Sequence, residues 1–189
     1  MNIFVLDKDP YVSATMMCDK HVVKMILESC QLLSTAHHVL DGRQLIKISK
    51  NGRTLHTYEK SVFHKSTTYL KCTMINHPCN VWVRKTSGNY RWLWNHLDGL
   101  QQEYTKRYFK THALMPLIYH LLWYKPATIK DDLTVTDFVQ AMPDQYKDPD
   151  PVYAYQQYYI NEKSRFAKWK TEIPAWYTEG INNLNTVQT

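Results

Sequence analysis

Residues 10–40 read PYVSATMMCDKHVVKMILESCQLLSTAHHVL, a mostly apolar segment along which polar side chains form one line. Asp9 suits an N-cap, Pro10 suits the first helical position and Gly42 suits the end, so the segment predicts one continuous helix. Its polar side chains recur at steps of three and four residues and therefore stack on one face. They are His21, Lys24, Glu28, Gln31 and Thr35. The other faces are apolar, which is typical of a buried helix.

Two charged side chains inside a buried helix require an explanation. Burial of Lys24 and Glu28 is costly unless they pair with each other or serve a site. The pattern therefore allows a structural ion pair one turn apart, and it also allows a catalytic carboxylate at the floor of a cleft. We favour the second interpretation, in which Glu28 is the catalytic group.

The rest of the chain predicts a single, mainly helical domain. With 189 residues, 5 Gly, 8 Pro and no repeat or linker, we expect one compact domain over residues 1–180 and a polar tail over residues 181–189. Two segments, QLIKIS and TLHTYE, flank Asn51-Gly52, which is a strong signal for a β-hairpin. Further helices are predicted near residues 87–109, 113–124 and 152–170. The predicted fold class is mainly α, built round a long buried N-terminal helix and carrying a small basic hairpin.

Charge and aromatic content favour a nucleic-acid partner. The net charge is +6, the pI is near 9.0 and 13% of the residues are aromatic, so basic groups can bind phosphates while rings stack on bases. One basic cluster covers the hairpin and its flank: Arg43, Lys47, Lys50, Arg53, Lys60 and Lys65. This cluster is equally consistent with a hairpin that is exposed only to solvent and with an arm that contacts phosphates. A second basic cluster surrounds the helix near residues 87–109: Arg84, Lys85, Arg91, Lys106, Arg107 and Lys110.

Several kinds of protein are disfavoured by what the sequence lacks. No apolar run approaches the ~18 residues of a membrane span and no signal peptide is recognised, so we expect no membrane association and a cytoplasmic location. Two groups have spacings that zinc accepts, Cys18-x-x-His21 and Cys72-(x)4-His77-x-Cys79. Neither completes a known signature, so we expect free thiols and no metal. No glycine-rich phosphate loop is present, so we expect no nucleotide cofactor.

Short motifs along the chain follow the order of a known enzyme family. In the long helix, Asp19-Lys20-His21 is followed by Glu28 seven residues after the histidine. The other motifs are LDGRQLIKIS (residues 40–49), Asn76-His77-Pro78, Glu103-Tyr104-(x)2-Arg107-Tyr108, Thr134-Val135-x-Asp137, Met142-Pro143-Asp144-Gln145-Tyr146, Glu162-Lys163 and Pro174-x-Trp176-Tyr177. Through them the chain resembles the endonuclease V-type pyrimidine-dimer DNA glycosylases of phages and bacteria, a superfamily of small all-helical repair enzymes, as a divergent member.

The resemblance implies that the amino terminus is the nucleophile. In that family an N-terminal α-amine attacks the sugar C1′ and expels the base to give an imine, while an acid assists cleavage and the later elimination that nicks the strand. An α-amine has a pKa of about 8, so part of it is neutral at cytoplasmic pH. Carried over to this chain, Glu28 is the acid and Met1 or Asn2 supplies the amine. His21 and Lys24 would orient the acid or contact phosphate.

The resemblance also implies double-stranded DNA as the partner, in the cytoplasm of a bacterial or phage-infected cell. The expected DNA contacts are Arg43, Lys47, Arg53, His77, Arg84, Arg91, Arg107, Lys163, Trp176 and Tyr177. Leu27 and Gln31 stand where the best-known members have phosphate-binding arginines, which leaves the lesion open between a pyrimidine dimer and related damage. Two other functions stay open: a non-catalytic nucleic-acid-binding module on the same fold, and an enzyme that cleaves N-glycosidic bonds in free nucleotides.

Overall fold

The part of the chain that the computed structural model describes, residues 1–60 and 68–187, is mainly α-helical. Its helices are α1 (Pro10–Met16), α2 (Asp19–Asp41), α3 (Pro78–Val83), α4 (Ser87–Tyr108), α5 (Met115–Trp123), α6 (Pro151–Lys163) and α7 (Ala175–Val187), with a 3-10 turn at Asp144–Tyr146. Its strands are β1 (Arg43–Ile48) and β2 (Thr54–Glu59). The predicted fold class, mainly α with a small basic hairpin, is confirmed.

The long N-terminal helix is divided in two, so the prediction of one continuous helix was wrong. Met17 and Cys18, between α1 and α2, have extended backbone. The guanidinium of Arg107, from α4, donates to the carbonyl of Met17 at 2.7 Å and to that of Thr15 at 2.9 Å. Carbonyls that a continuous helix would bond internally are thus satisfied by a buried cation. The apolar and polar periodicity on either side of the break is unaffected by it.

The core lies between the first half of the chain and α4, which packs against both α1 and α2. Gly99 of α4 permits this approach, because a Cβ there would lie 2.9 Å from the Cβ of Ala14 and 3.3 Å from the Cα of Tyr11. Buried apolar side chains from three segments fill the space between the helices. They are Ile3, Val5 and Leu6 from the amino terminus, Val22, Met25, Ile26, Leu32 and Leu33 from α2, and Leu93, Leu97 and Leu100 from α4.

One face of α2 is open to solvent, which corrects the prediction of a helix buried on all sides. Val23 and Leu27 are exposed, and the side chain of Lys24 is 66% exposed. Glu28 adjoins this face but is itself buried. The predicted polar line therefore lies at the edge between the core and the surface, where a buried acid can still be reached from outside.

The hairpin follows α2 directly and has the predicted turn. β1 and β2 pair antiparallel, with Arg43 opposite Glu59 and Ile48 opposite Thr54, and Gly52 in the turn has a φ of 73°. This left-handed conformation is the reason that glycine suits the turn. Lys65, which we assigned to the same basic cluster, lies outside the described residues.

The C-terminal segment differs from its prediction in two places. α6 ends at Lys163 instead of residue 170, because the next residues leave the helix to pack near the break between α1 and α2, where the carbonyl of Lys168 accepts from the backbone N–H of Asp19 at 2.8 Å. α7 continues past Gly180 to Val187, although we expected only a polar tail from residue 181. The domain boundary at residue 180 stays a prediction. Across the described ranges, no helix is long and apolar enough to cross a membrane.

Candidate active site

Glu28 lies at the meeting point of α2 and the start of the chain. Its side chain is almost buried, and Oε2 accepts a hydrogen bond from the backbone nitrogen of Asn2 at 3.0 Å. Oε1 lies 3.3 Å from Nζ of Lys24, one helical turn earlier. The ion pair that the sequence allowed is thus present, but its carboxylate also holds the amino-terminal segment.

The side chain of Asn2 fixes that segment in place. Its Oδ1 accepts from the backbone N–H of Ile3 at 2.7 Å and from the hydroxyl of Tyr155 at 2.8 Å. Its Nδ2 donates to the carbonyl of Ala141 at 2.8 Å. Because Tyr155 lies in α6 and Ala141 in the segment before it, Asn2 is held against Glu28 by residues about 140 and 150 positions later in the chain.

His77, at the N-terminus of α3, shares this site with the α-amine and Glu28. Its Nδ1 accepts from the backbone N–H of Cys79 at 3.2 Å, so the neutral ring carries its proton on Nε2. Burial lowers the pKa of His77, the positive α-amine of Met1 lowers it further, and the negative Glu28 opposes both effects. The same two charges act on Cys79, whose thiol pKa is raised to about 12 mainly by burial. The chain start, α2 and α3 therefore converge on one point.

His21 is a buried, neutral neighbour of the site. Its Nδ1 lies 2.5 Å from the hydroxyl of Tyr159, and its ring packs on Phe4 with centroids 4.5 Å apart. Burial lowers the pKa of His21 to about 3, and the positive charges of Lys163 and Lys24 add to this. A ring that is neutral and tied to Tyr159 is suited to positioning the amino-terminal segment, and it is unsuited to binding phosphate as a cation.

Basic and aromatic side chains line the surface on the His21 side of the site. Lys163 donates to the hydroxyl of Tyr158 at 3.0 Å and lies 4.1 Å above the centre of that ring. Lys20 lies 5.3 Å from the centre of the Phe166 ring. Together with Lys24 they form what we call the basic rim: Lys20, Lys24 and Lys163. A rim of this kind can bind phosphates on either side of a nucleotide that reaches Glu28.

Comparison with known proteins shows the family of this chain. A family model described as pyrimidine dimer DNA glycosylase matches residues 1–117, well over half of the chain. The chain belongs to this family. The match includes Glu28, Lys24, His77 and the break between α1 and α2, so the site described above lies within the family's own part of the chain. Neither the curated proteins nor the solved structures contain a match to this chain.

Because the chain belongs to this family, the protein is a DNA glycosylase at the level of the family, and its substrate is DNA.

The expected DNA contacts of this glycosylase fall into separate groups in the structure. His77 and Lys163 lie at the site. Arg43, Lys47 and Arg53 are exposed on the hairpin. The hairpin is separated from the acid by the second half of α2. Asp41, at the end of this helix, is thirteen residues after Glu28, which corresponds to about 20 Å along the helix axis at 1.5 Å per residue.

Other expected DNA contacts have structural partners instead. The side chain of Arg107 is fully buried and pairs with Glu103 and Asp19, so we no longer place it at the DNA surface. Tyr177 is buried beside the Trp169 ring, and the indole N–H of Trp176 contacts the sulfur of Met16 at 3.4 Å.

The two remaining arginines lie nearer the surface. Arg84 donates to the carbonyl of Ile75 at 2.7 Å, just before α3. Arg91 is exposed, with its guanidinium 5.8 Å from the centre of the Trp123 ring.

Sequence analysis missed the residues that hold the amino terminus. Tyr155 and Tyr159 lie in the helix predicted near residues 152–170, and their hydroxyls bond Asn2 and His21 respectively. Their spacing of four residues on α6 was the available signal, since it puts both hydroxyls on one face. Within the described ranges, no group of three His, Cys, Asp or Glu side chains is placed to hold a metal ion.

Proposed function

We propose that this glycosylase excises a damaged or modified base from double-stranded DNA through its N-terminal amine and Glu28, and that it then nicks the abasic strand. The observation that carries the proposal is the 3.0 Å contact between the Asn2 nitrogen and Oε2 of Glu28. It places a carboxylate, the natural acceptor of the protons that the amine loses during attack, at the very start of the chain.

The proposed reaction uses Glu28 as a proton carrier twice. The amine attacks C1′ of the sugar as the C1′–N bond to the base breaks, and Glu28 takes one proton from the attacking nitrogen and gives it to the departing base. The remaining nitrogen proton moves through Glu28 to O4′ as the C1′–O4′ bond breaks, which leaves an imine between the protein and the opened sugar. Removal of a C2′ proton then expels the 3′ phosphate and cuts the strand, after which water releases the protein. No cofactor takes part in these steps.

The identity of the nucleophile depends on whether Met1 is retained. With Met1 removed, the nitrogen that Glu28 holds becomes the α-amine itself. With Met1 retained, that nitrogen is an amide that orients Glu28, and the Met1 amine next to it attacks; its charge already acts on His77 and Cys79. Both forms put an α-amine beside the same carboxylate.

Binding of DNA is assigned to two surfaces. The basic rim lies on the His21 side of the site and includes Lys24, which pairs with Glu28. Arg43, Lys47 and Arg53 on the hairpin extend the positive surface beyond the end of α2. Lysine and arginine contacts to phosphate supply affinity without sequence preference. Leu27 is exposed on α2 beside Glu28 and Gln31 is partly exposed, so this face offers less positive charge next to the acid than arginines would.

The test is borohydride trapping on duplex DNA that carries one abasic site. We expect a covalent adduct with the unmodified protein, no adduct when the α-amine is acetylated, and a greatly reduced yield for Glu28→Gln. Glu179→Gln, at an exposed acid on α7, is the matched control and keeps the full yield. Mass analysis of the trapped amino-terminal peptide identifies Met1 or Asn2 as the nucleophile. DNA binding without any adduct would instead favour the non-catalytic module, in which Lys24 and Glu28 are only an ion pair.

A further inference from the structure

The turn before α3 presents an exposed methionine beside the proposed site. The backbone N–H of His77 donates to the carbonyl of Met74 at 2.8 Å, which closes the turn. One residue earlier, Thr73 exchanges hydrogen bonds with Oγ1 of Thr35 at 3.3 and 3.5 Å. Thr35 is seven residues after Glu28 on the same face of α2, about 10 Å along the axis. Met74 therefore lies between His77, which belongs to the site, and Thr73, which is bonded to α2 two turns after Glu28.

The backbone of Met74 is in a conformation that favours glycine. Its φ is 46°, in the left-handed region, and Met74 as a whole is 54% exposed to solvent. Among the described non-glycine residues, only Phe4 and Phe109 share a positive φ. Phe4 is buried in the core, and Phe109 ends α4 in the left-handed conformation common at helix C-termini. Met74 is neither buried in the core nor at the end of a helix. Its strained backbone instead displays an exposed apolar side chain.

Three consecutive carbonyls keep this turn rigid. The amide of Asn80 donates to the carbonyl of Thr73 at 3.0 Å and to that of Met74 at 2.9 Å. Arg84 donates to the carbonyl of Ile75 at 2.7 Å. Asn80 is itself buried in α3, so the turn is anchored to the core. A strained, anchored turn that displays a long apolar side chain at a site is the kind of feature that serves a ligand contact.

We propose that Met74 is a wedge that enters the DNA duplex and occupies the stack beside the nucleotide bound at Glu28. The inference rests on the proposed function. A glycosylase that acts within a duplex has to open the base stack at its target, and apolar side chains inserted between base steps compensate the lost stacking. An unbranched thioether is narrow and polarisable, which suits it to the space between two base faces.

The first test measures unstacking without requiring any reaction. The probe is a duplex with a stable tetrahydrofuran abasic analogue next to 2-aminopurine, whose fluorescence rises when it leaves the stack. We expect the wild-type protein to raise the fluorescence, and Met74→Ala and Met74→Gly to bind the duplex but lose most of the rise. Leu117→Ala, which shortens an apolar residue of similar exposure (51%) on α5, is the control and behaves as wild type.

The second test compares reactive substrates. The rate of borohydride trapping is measured with one abasic site in a duplex and in a single strand, where no stack has to be opened. We expect both Met74 variants to be slower by roughly tenfold on the duplex and unchanged on the single strand. Met74→Leu should restore most of the duplex rate.

Specific outcomes would overturn the wedge. Equal losses on duplex and single strand would indicate a structural role. A defect in Met74→Ala that is absent from Met74→Gly would show that backbone strain matters and the side chain does not. If the wild-type protein forms no adduct with either substrate, the proposed function fails, and the fluorescence test still decides whether Met74 enters the duplex.

Discussion

Glu28, near the middle of α2, and the hairpin that follows α2 hold their charged side chains in opposite ways. The Glu28 carboxylate is buried and has assigned partners: it accepts from the Asn2 nitrogen, and Asn2 in turn is held by Tyr155. On the hairpin, Arg43 and Lys47 project from an exposed two-stranded ladder. Groups that carry out chemistry need a fixed geometry, whereas groups that bind a flexible polyanion need only charge and reach. Substitutions should therefore separate catalysis from affinity according to which of these two regions they alter.

The largest expected effect is at Glu28. Glu28→Gln keeps an oxygen that can accept from the Asn2 nitrogen but removes the base that takes protons from the amine. We expect the single-turnover trapping rate to fall by about 100- to 10,000-fold, with DNA affinity changed by less than about twofold because every phosphate-binding cation stays in place. Gel-shift titration and trapping kinetics on the same duplex measure the two quantities. A parallel loss of affinity would remove the distinction between Glu28 and the hairpin.

The next effect concerns Tyr155, which supports the site from a distance. Tyr155→Phe leaves Oδ1 of Asn2 and the carbonyl of Val139 without this hydroxyl in a buried position. We expect a loss of about 1–3 kcal/mol in the free energy of unfolding and a slower trapping rate, measured by urea denaturation and single-turnover kinetics. Tyr153→Phe, at a half-exposed tyrosine on the same helix, should change neither. A Tyr155 variant that is destabilised but fully active would show that Glu28 positions the chain start without help.

The hairpin should give the reverse pattern. Replacing Arg43, Lys47 and Arg53 together by alanine should weaken duplex binding and reduce the slope of log K against log salt by about 0.9 for each phosphate that the hairpin no longer neutralises. The trapping rate at saturating DNA should stay unchanged. The control is a second triple alanine variant that loses the same amount of charge elsewhere on the protein. It replaces Lys125, Lys130 and Lys147, each of which pairs with an aspartate. If both triple variants lose affinity equally, net charge and not the hairpin determines binding.

The smallest effect is a pH dependence of stability from His21. Its pKa in the folded state is about 3, below the ordinary value of 6.5, so the unfolded chain binds the proton more readily. The contribution to stability is therefore complete above pH 6.5 and is lost as the pH falls toward 3. Between pH 7 and 6 the loss is less than about 1 kcal/mol. Urea denaturation at these two pH values should show a smaller decrease for His21→Gln than for wild type; identical decreases would show that His21 is not the group responsible.

Features determined by neighbours in sequence were predicted well. The hairpin turn follows from Asn51-Gly52, and the position of Glu28 at a polar edge follows from the spacing of α2. The break at Met17 could not be predicted, because its cause is the guanidinium of Arg107 ninety residues later. For the same reason Arg107 resembled a DNA contact in the sequence: a cation that satisfies backbone carbonyls has no local signature. The exposure of Lys24 likewise depends on which faces of α2 other elements cover.

The contacts of Asn2 also order events during synthesis of the chain. Asn2 is made before two of its partners, Ala141 and Tyr155, which follow it by about 140 and 150 residues. At roughly 5–20 residues per second, that delay lasts on the order of ten to thirty seconds. During this interval Asn2 lacks these contacts, so in the proposed mechanism the amine can be processed before the site is complete. A chain that stops before α6 leaves Asn2 without its Tyr155 contact.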